Sequence, residues 1–218
     1  MVWARVLAYS LMLSCIVGTA GLAREVMEAQ VQLLVKAPDV TFSGTYDLPT
    51  RSDIFDKTLD APMLLARLWE VYQFSPVYKA RMQGEGIHVD DPTGISGDVF
   101  LVEHSPNRRV YLGIGALNHS LVPAFRGKMA LVLSTVPKGS GLSARIDIFV
   151  RTDSRLLGLL TWAAAPLLRP RIENRVTVNA GNMGTILKDL STEPQKAAAL
   201  LSKEDAAALL KIFPAAKR

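Results

Sequence analysis

The sequence contains very little cysteine and little histidine. There is one cysteine, Cys15, and there are three histidines among 218 residues. Cys15 lies in an apolar N-terminal segment, so a chain cleaved after Ala23 has no cysteine and can form neither a disulfide nor a thiol-based site. His88, His104 and His119 fall in three separate predicted strands without the close spacing of metal ligands, and we predict no metal site.

Motifs of catalysis and of phosphate binding are also missing. The segments 94–97 and 139–141 contain glycine and serine, but they lack the Gly-x-Ser-x-Gly spacing that places a nucleophilic serine on a sharp turn. The segments 113–115 and 181–184 lack the glycine spacing of a loop that binds a phosphate or a dinucleotide. We therefore name no catalytic residue and predict no cofactor.

The excess of basic residues is small and dispersed. Lysine and arginine number 25 against 20 aspartate and glutamate residues, which gives a formal net charge of +5. No basic stripe alternates with aromatic residues, and we predict no nucleic-acid binding. A mild positive balance is compatible with contact to an anionic membrane surface, and it is also typical of an ordinary protein surface.

Residues 1–23 have the pattern of a secretory signal peptide. Arg5 is the only charged residue before Arg24, an apolar run follows it, and Gly21 and Ala23 place small residues just before a cleavage site. We predict cleavage after Ala23 and a mature protein that is periplasmic or secreted from a bacterial cell.

Two alternatives to cleavage after Ala23 stay open. The apolar run that begins at Val6 is about 18 residues long, near the lower limit for a transmembrane helix, so an uncleaved anchor is the first alternative. The second is a lipid anchor on Cys15, which follows the small residue Ser14. Either alternative would hold the domain beside a membrane.

The rest of the chain suits one domain with two flanking segments. Residues 24–39 form a lead-in with weak helical character, and residues 40–190 form the domain. Residues 191–218 form a tail that contains a short amphipathic helix from Lys203 to Phe213.

Strands and one early helix are predicted in the first part of the domain. Alternation of apolar and polar residues predicts a strand over residues 40–48. Asp60 and Pro62 predict the start of a helix that ends near Tyr72, because aspartate is a preferred N-cap and proline is favoured in the first turn. Five further strands form an antiparallel meander over residues 78–89, 97–104, 109–119, 126–136 and 143–151. The tightest polar grouping, His88 with its neighbours Asp90 and Asp91, is interpreted as a polar strand end before a turn.

The region from Arg155 to Leu190 is predicted to be a long helix that closes over the sheet. Leucine and alanine recur at helical spacing in its first half. Pro166 and Pro170 are expected to kink or interrupt the helix. The segment 176–178, Val-Thr-Val, has local strand character.

This order of elements resembles the START-like, helix-grip (SRPBCC) superfamily and its bacterial members related to polyketide cyclases. The likeness covers Val40 to Leu190 and rests on the architecture, on the leucine-rich segment 155–160 and on the segment 182–188, Asn-Met-Gly-Thr-Ile-Leu-Lys. It implies an α+β fold in which a curved antiparallel sheet wraps around a long C-terminal helix. It also implies a hydrophobic cavity between sheet and helix. The leader and the terminal segments are departures from the usual bacterial members.

The strand over residues 109–119 has two candidate inward faces. One face carries Tyr111, Gly113, Gly115 and His119, and the other carries Val110, Leu112, Ile114 and Ala116. Tyr111 and His119 would line the cavity if the first face is concave, but core packing favours the second face as the inward one. Glycine in a strand allows a bend or makes room for a ligand, and bending is the commoner reason.

Three residues of the closing helix complete the candidate ligand site. Trp162 is offset from the leucine stripe and would either edge the cavity or pack against the first helix. The polar residues that include Asn174 and Arg175 usually form a solvated face. The alternative is that one of these two points into the cavity and holds a polar group of the ligand, although a buried arginine without a partner is costly.

The function that these features favour is binding of a hydrophobic small molecule, such as a lipid, sterol or terpenoid, by an exported protein. An enzyme of the cyclase, aromatase or dehydratase type is the first alternative, with Tyr111 or His119 as acid or base. A structural envelope protein without a cavity is the second alternative. No feature of the sequence specifies the oligomeric state.

Overall fold

The computed structural model describes residues 23–119, 122–153 and 155–214, without the side chains of residues 119, 122, 123, 125, 155–169, 171 and 172. The predicted signal peptide and Cys15 lie outside the described residues. None of the described helices combines the length and the hydropathy of a membrane span.

The fold combines one antiparallel sheet with six helices in the part of the chain described. The strands are β1 (Val40–Leu48), β2 (Lys79–Gln83), β3 (Gly86–Asp91), β4 (Ile95–Ser105), β5 (Arg108–His119), β6 (Val122–Lys138) and β7 (Gly141–Thr152). The helices are α1 (residues 23–36), α2 (Ser52–Leu59), α3 (Pro62–Val71), α4 (Arg155–Thr192), α5 (Pro194–Ala198) and α6 (Lys203–Ile212). The seven strands pair in the order β1-β7-β6-β5-β4-β3-β2. The predicted α+β class, with a meander and a long C-terminal helix, is confirmed.

The single strand predicted over residues 78–89 is wrong, because the chain reverses inside it. Gly84 adopts a φ of +58°, and Gln83 pairs with Gly86 across the turn. Glycine reaches this left-handed conformation without a steric penalty. Alternation of apolar and polar residues on each side of the turn predicts a strand, and the two strands β2 and β3 are joined by a turn of only two residues.

The predicted interruption of the closing helix is also wrong. The helix α4 runs over 38 residues through Pro166 and Pro170, and the strand-like segment 176–178 is helical. A proline removes one backbone hydrogen bond from a helix. The bonds on either side continue the helix, and packing of its C-terminal half outweighs the β preference of valine. Met183 and Leu187 of that half pack on the sheet.

The predicted N-cap of α3 is different in the structure. Ala61 occupies the N-cap position without a side-chain hydrogen bond, and proline stands in the first turn. The Asp60 carboxylate instead accepts a hydrogen bond from Arg109 of β5. The charge of a buried arginine therefore competes successfully for this carboxylate.

The two faces of the sheet are covered by different helices. We call the face toward α2 and α4 the inner face, where Leu133 packs with Leu187. We call the opposite face the outer face, where Val110 and Leu112 pack against α1 residues such as Leu34. The preference for an inward Val110 face is therefore wrong. Because α1 covers the outer face, Val110 and Leu112 are buried there, and alternation alone cannot tell this face from the one toward α4.

The helix α4 is longer than the strand beside it. Its 38 residues span about 57 Å at a rise of 1.5 Å per residue. The 12 residues of β7 span about 40 Å. The C-terminal part of α4 packs on β1, β7 and α2. It also forms a helical cluster with α3, α5 and α6, in which Leu68, Ile186 and Leu209 are fully buried.

A buried carboxylate fixes the end of α4 within this cluster. Asp189 is 7% exposed and accepts a hydrogen bond of 2.7 Å from the Tyr72 hydroxyl. Lys196 donates to its other oxygen at 3.0 Å. Burial, together with the bond to Asp189, raises the pKa of Tyr72, so its hydroxyl remains a donor. The segment after α4 is thereby tied to the end of α3.

Candidate functional site

The candidate site is the inner face of the central strands. The register of β4, β5 and β6 places Val99, Leu101, Tyr111, Met129 and Leu131 on this face. Leu101 is 45% exposed and the other four are half-buried, whereas Leu112 and Ala130 on the outer face are 0% exposed. Apolar surface on the inner face is thus left uncovered although a helix lies beside it. Incomplete burial of this kind marks a place where a ligand can add contact area.

The middle of α4 is fastened to the far edge of the sheet. Arg175 donates from Nη1 to the Tyr78 hydroxyl at 3.2 Å and to Asp91 Oδ2 at 3.4 Å, and from Nη2 to Thr93 at 3.1 Å. Asn179 donates to the same tyrosine oxygen at 2.8 Å. Because the C-terminal part of α4 packs on β1 and β7, the helix is attached on both sides of the central strands. This geometry suits the roof of a cavity.

The residues predicted to bind a ligand have several different positions. Tyr111, Gly113 and Gly115 lie on the inner face, Arg175 is bound to the sheet edge, and Asn174 is exposed on α4. His119 and Trp162 belong to β5 and α4, and their side chains lie outside the described residues. Three of the seven predictions therefore share the inner face of one strand.

Three glycines form a row across the central strands. Gly97 pairs with Gly115, which pairs with Gly127. A Cβ added at Gly115 would lie 2.5 Å from the Ser96 carbonyl oxygen and 2.9 Å from the Gly97 Cα. Backbone atoms this close leave no space for a side chain, so the row allows the sheet to bend sharply.

Gly113 differs from this row. A Cβ added there would meet the Met129 Cε first, at 3.1 Å, and no backbone atom nearer than 3.9 Å. The end of a methionine side chain is flexible and moves easily. A side chain at Gly113 would therefore need a small shift of the end of Met129, but no movement of the backbone.

A buried arginine forms the polar end of the inner face. Arg109 is 3% exposed and donates to Asp60 at 2.7 Å and to Asp56 at 3.2 Å. It also donates to the Asp56 carbonyl at 3.3 Å, near the C-terminus of α2, where the helix dipole favours a cation. The Arg109 Nε is buried and has no hydrogen-bond partner. Arg109 is thus a cation held by two carboxylates with one unused donor.

Tyr111 lies next to Arg109 on the same face. Burial raises the pKa of the Tyr111 hydroxyl, and the charge of Arg109 offsets this only in part. The phenol therefore keeps its proton at neutral pH and can donate a hydrogen bond to a ligand. Arg109 is not among the predicted site residues, although two signals in the sequence point to it: its spacing of two from Tyr111, and the i, i+4 pair Asp56 and Asp60.

The His88 group lies on the outer face and links β3 to β4. The His88 Nδ1 is 2.6 Å from Asp98 Oδ1, and its Nε2 is 3.2 Å from Ser96 Oγ. Ser96 donates to Asp90 at 2.6 Å, and Arg81 donates to Asp90 at 2.9 Å. No group of three or more ligand-type side chains in the described part of the chain could hold a metal ion.

The contribution of Asp90 to the free energy of unfolding depends on pH. Hydrogen bonds from Ser96 and Arg81, with a smaller effect of His88, lower the pKa of Asp90 to about 2. Because the folded-state pKa is depressed, this stabilisation is complete above the unfolded pKa of about 4 and is lost as the pH falls through about 2.

The substitution Asp90→Asn tests this contribution. Between pH 4 and pH 2 the free energy of unfolding, measured by urea unfolding, is expected to decrease less in the variant than in the wild type. Glu204→Gln, at an exposed residue of α6, is the control; an unchanged pH profile in Asp90→Asn would contradict the assignment.

Comparisons with known proteins concern the fold alone. No family model matches the sequence, and no curated protein matches it. Among solved structures, Mll3558 from Rhizobium loti has 13% identity and a TM-score of 0.43, over 65% of this chain and 95% of that chain. A conserved protein from Geobacillus kaustophilus has 11% identity and a TM-score of 0.46, over 67% and 96%. CalU16 from Micromonospora echinospora has 13% identity and a TM-score of 0.38, over 79% and 87%.

The order of the chain's own elements decides the fold. A first strand and two helices precede six strands, and the last strand returns beside the first, before a long C-terminal helix. The chain therefore has the α+β helix-grip fold that the resemblance to the START-like superfamily implied.

Proposed function

We propose that this protein binds a hydrophobic small molecule, of the size of a lipid, sterol or terpenoid, between the inner face of the sheet and α4. The observation that carries the proposal is the uncovered apolar surface around Leu101, beneath a helix that is attached on both sides. Export through the leader at residues 1–23 belongs to the same proposal and rests on the sequence pattern.

Burial of apolar surface supplies enough free energy for this function. A ligand that buries about 300 Å² of apolar area gains about 7.5 kcal/mol at 25 cal/mol per Å², before the cost of losing its freedom of motion. Micromolar affinity corresponds to about 8 kcal/mol. A lipid or sterol buries more area than this, so apolar contact alone accounts for useful binding.

The polar end of the inner face favours binding over acid–base catalysis. Tyr111 keeps its proton and Arg109 keeps its charge, so both are hydrogen-bond donors at neutral pH. The carboxylates of Asp56 and Asp60 are engaged by Arg109. This arrangement suits recognition of a carbonyl or hydroxyl oxygen at one end of an apolar ligand.

Gly113→Val tests the inner site directly. Valine favours strands, and its side chain would occupy the space above Gly113 after a small shift of Met129. We expect the variant to fold normally and to bind the neutral dye N-phenyl-1-naphthylamine at least tenfold more weakly, measured by fluorescence titration.

Ala116→Val is the matched control, because Ala116 is exposed on the outer face of the same strand. It is expected to leave the affinity unchanged. Equal affinities of wild type and Gly113→Val, or no dye binding by the wild type, would contradict the proposal. Native mass spectrometry of the protein purified from its own cell envelope would identify the natural ligand and the N-terminal residue.

A further inference from the structure

A second cleft lies on the outer face, between α1 and the ends of β6 and β7. Its volume is about 460 Å³, within the range of small-molecule sites. Its lining includes the apolar residues Leu33 and Leu34, the cations Lys128 and Arg151, the carboxylates of Asp39 and Asp153, and Gln30. We call it the outer cleft. The sheet separates it from the inner face, so it is independent of the function proposed above.

Two cations face each other in the outer cleft. Lys128 and Arg151 are directly opposite on the paired strands β6 and β7, where Cβ atoms are about 5 Å apart and like charges repel. In the part of the chain that the structure describes, neither residue forms an ion pair. Asp39 uses its Oδ2 to accept from the Thr152 backbone N–H at 2.8 Å and from the Thr152 hydroxyl at 3.0 Å. An anion between the two cations would replace their repulsion by two charge-assisted hydrogen bonds.

The wall formed by α1 adds an unused acceptor and an apolar surface. The Gln30 Oε1 is buried without a hydrogen-bond partner, and a buried acceptor left unsatisfied costs free energy. A rotation of the Gln30 amide toward the cleft would let a ligand hydroxyl donate to this oxygen. Leu34 is 2% exposed and Leu33 is 58% exposed, so an apolar surface leads from the cleft into solvent.

We propose that the outer cleft binds a phosphate ester that carries a neighbouring hydroxyl, as in glycerol phosphate. The phosphate lies between Lys128 and Arg151, and the hydroxyl donates to Gln30. Two sources share this chemistry: the headgroup of a phosphatidylglycerol, with its acyl chains along Leu33, and free glycerol phosphate.

Titration calorimetry of the full-length protein tests the site. The probes are dihexanoyl phosphatidylglycerol below its micelle concentration, glycerol 3-phosphate, and dihexanoyl phosphatidylcholine, which has no headgroup hydroxyl. We expect phosphatidylglycerol to bind, and to bind at least tenfold more weakly to the double variant Lys128→Gln/Arg151→Gln. Lys188→Gln, at an exposed residue of α4, is the matched control and is expected to bind like the wild type. Thermal unfolding of each variant checks that it folds.

Gln30→Leu separates the role of the hydroxyl from that of the phosphate. It is expected to weaken phosphatidylglycerol binding several-fold and to leave binding of dihexanoyl phosphatidic acid, which lacks the headgroup hydroxyl, unchanged. Tighter binding of phosphatidylglycerol than of glycerol 3-phosphate identifies the lipid as the source, and equal binding identifies the soluble ester.

Three results would overturn the proposal. The first is absence of binding by both glycerol phosphate probes, and the second is equal affinity of the wild type and the double variant. The third is loss of phosphatidylglycerol binding in Gly113→Val with retention in the double variant, which would place the lipid on the inner face.

Discussion

Replacement of Arg109 by alanine is expected to lower the free energy of unfolding by about 3 kcal/mol, because it removes the charge-assisted hydrogen bonds of a buried cation to two carboxylates. Arg109 is 3% exposed, and Asp56 and Asp60 both accept hydrogen bonds from it. The substitution also removes buried side-chain volume between α2 and β5. Urea unfolding at neutral pH measures the change.

The adjacent residue Arg108 supplies the matched control. It lies on the outer face, is 42% exposed and pairs with Glu103, so Arg108→Ala is expected to cost less than about 1 kcal/mol. Arg109→Met, which keeps much of the volume, is expected to lose less stability than Arg109→Ala. If Arg108→Ala and Arg109→Ala lower the free energy of unfolding equally, the buried contacts of Arg109 do not stabilise the packing of α2 on the sheet.

The second large effect is expected at the glycine row. Gly115→Ala is expected to destabilise the protein by about 2 to 3 kcal/mol, because its Cβ would lie 2.5 Å from a backbone oxygen of the neighbouring strand. The strands can relieve this clash only by opening the bend. Thermal and urea unfolding, with circular dichroism as the signal, measure the loss.

Gly113→Ala is the control on the same strand and the same face. Its Cβ meets only the end of the Met129 side chain at close range. The change is therefore expected to stay within about 1 kcal/mol, or to stabilise the protein by restricting the unfolded chain. A similar loss of stability in Gly115→Ala and Gly113→Ala would contradict the prediction that only the first Cβ clashes with the backbone.

The two proposed sites lie on opposite faces of the sheet. The inner face offers apolar surface with hydrogen-bond donors at one end, which suits a largely uncharged ligand. The outer cleft offers two cations beside apolar α1 residues, which suits an anionic headgroup. With both sites, the protein would hold a hydrophobic molecule on one face and an anionic headgroup on the other. Gly113→Val tests the inner face, and Lys128→Gln/Arg151→Gln tests the outer cleft.

Much of the fold could be predicted because local rules and tertiary structure agree there. Alternation and the proline and glycine turns predicted β1 and β4 to β7 closely. The helix from Lys203 to Ile212 follows its amphipathic pattern, with Ser202 as its N-cap. The turn at Gly84 was missed although the apolar positions shift there, from Ala80 and Met82 before the turn to Ile87 and Val89 after it. The continuous helix through Pro166 and Pro170 was missed because each proline removes only one backbone hydrogen bond, and the bonds on either side continue the helix.

The sequence by itself determined the α+β class, the order of the elements and the place of Tyr111 and Gly113 on one face of a strand. Only the tertiary structure decided which face that is, because α1 buries the apolar residues of β5 on the outer face. It also decided the partners of charged residues: Arg175 is bound to the sheet edge, and Arg109 is buried between two carboxylates. Periodicity reports which side chains share a face, whereas the partner of a charge depends on elements that are distant in the chain.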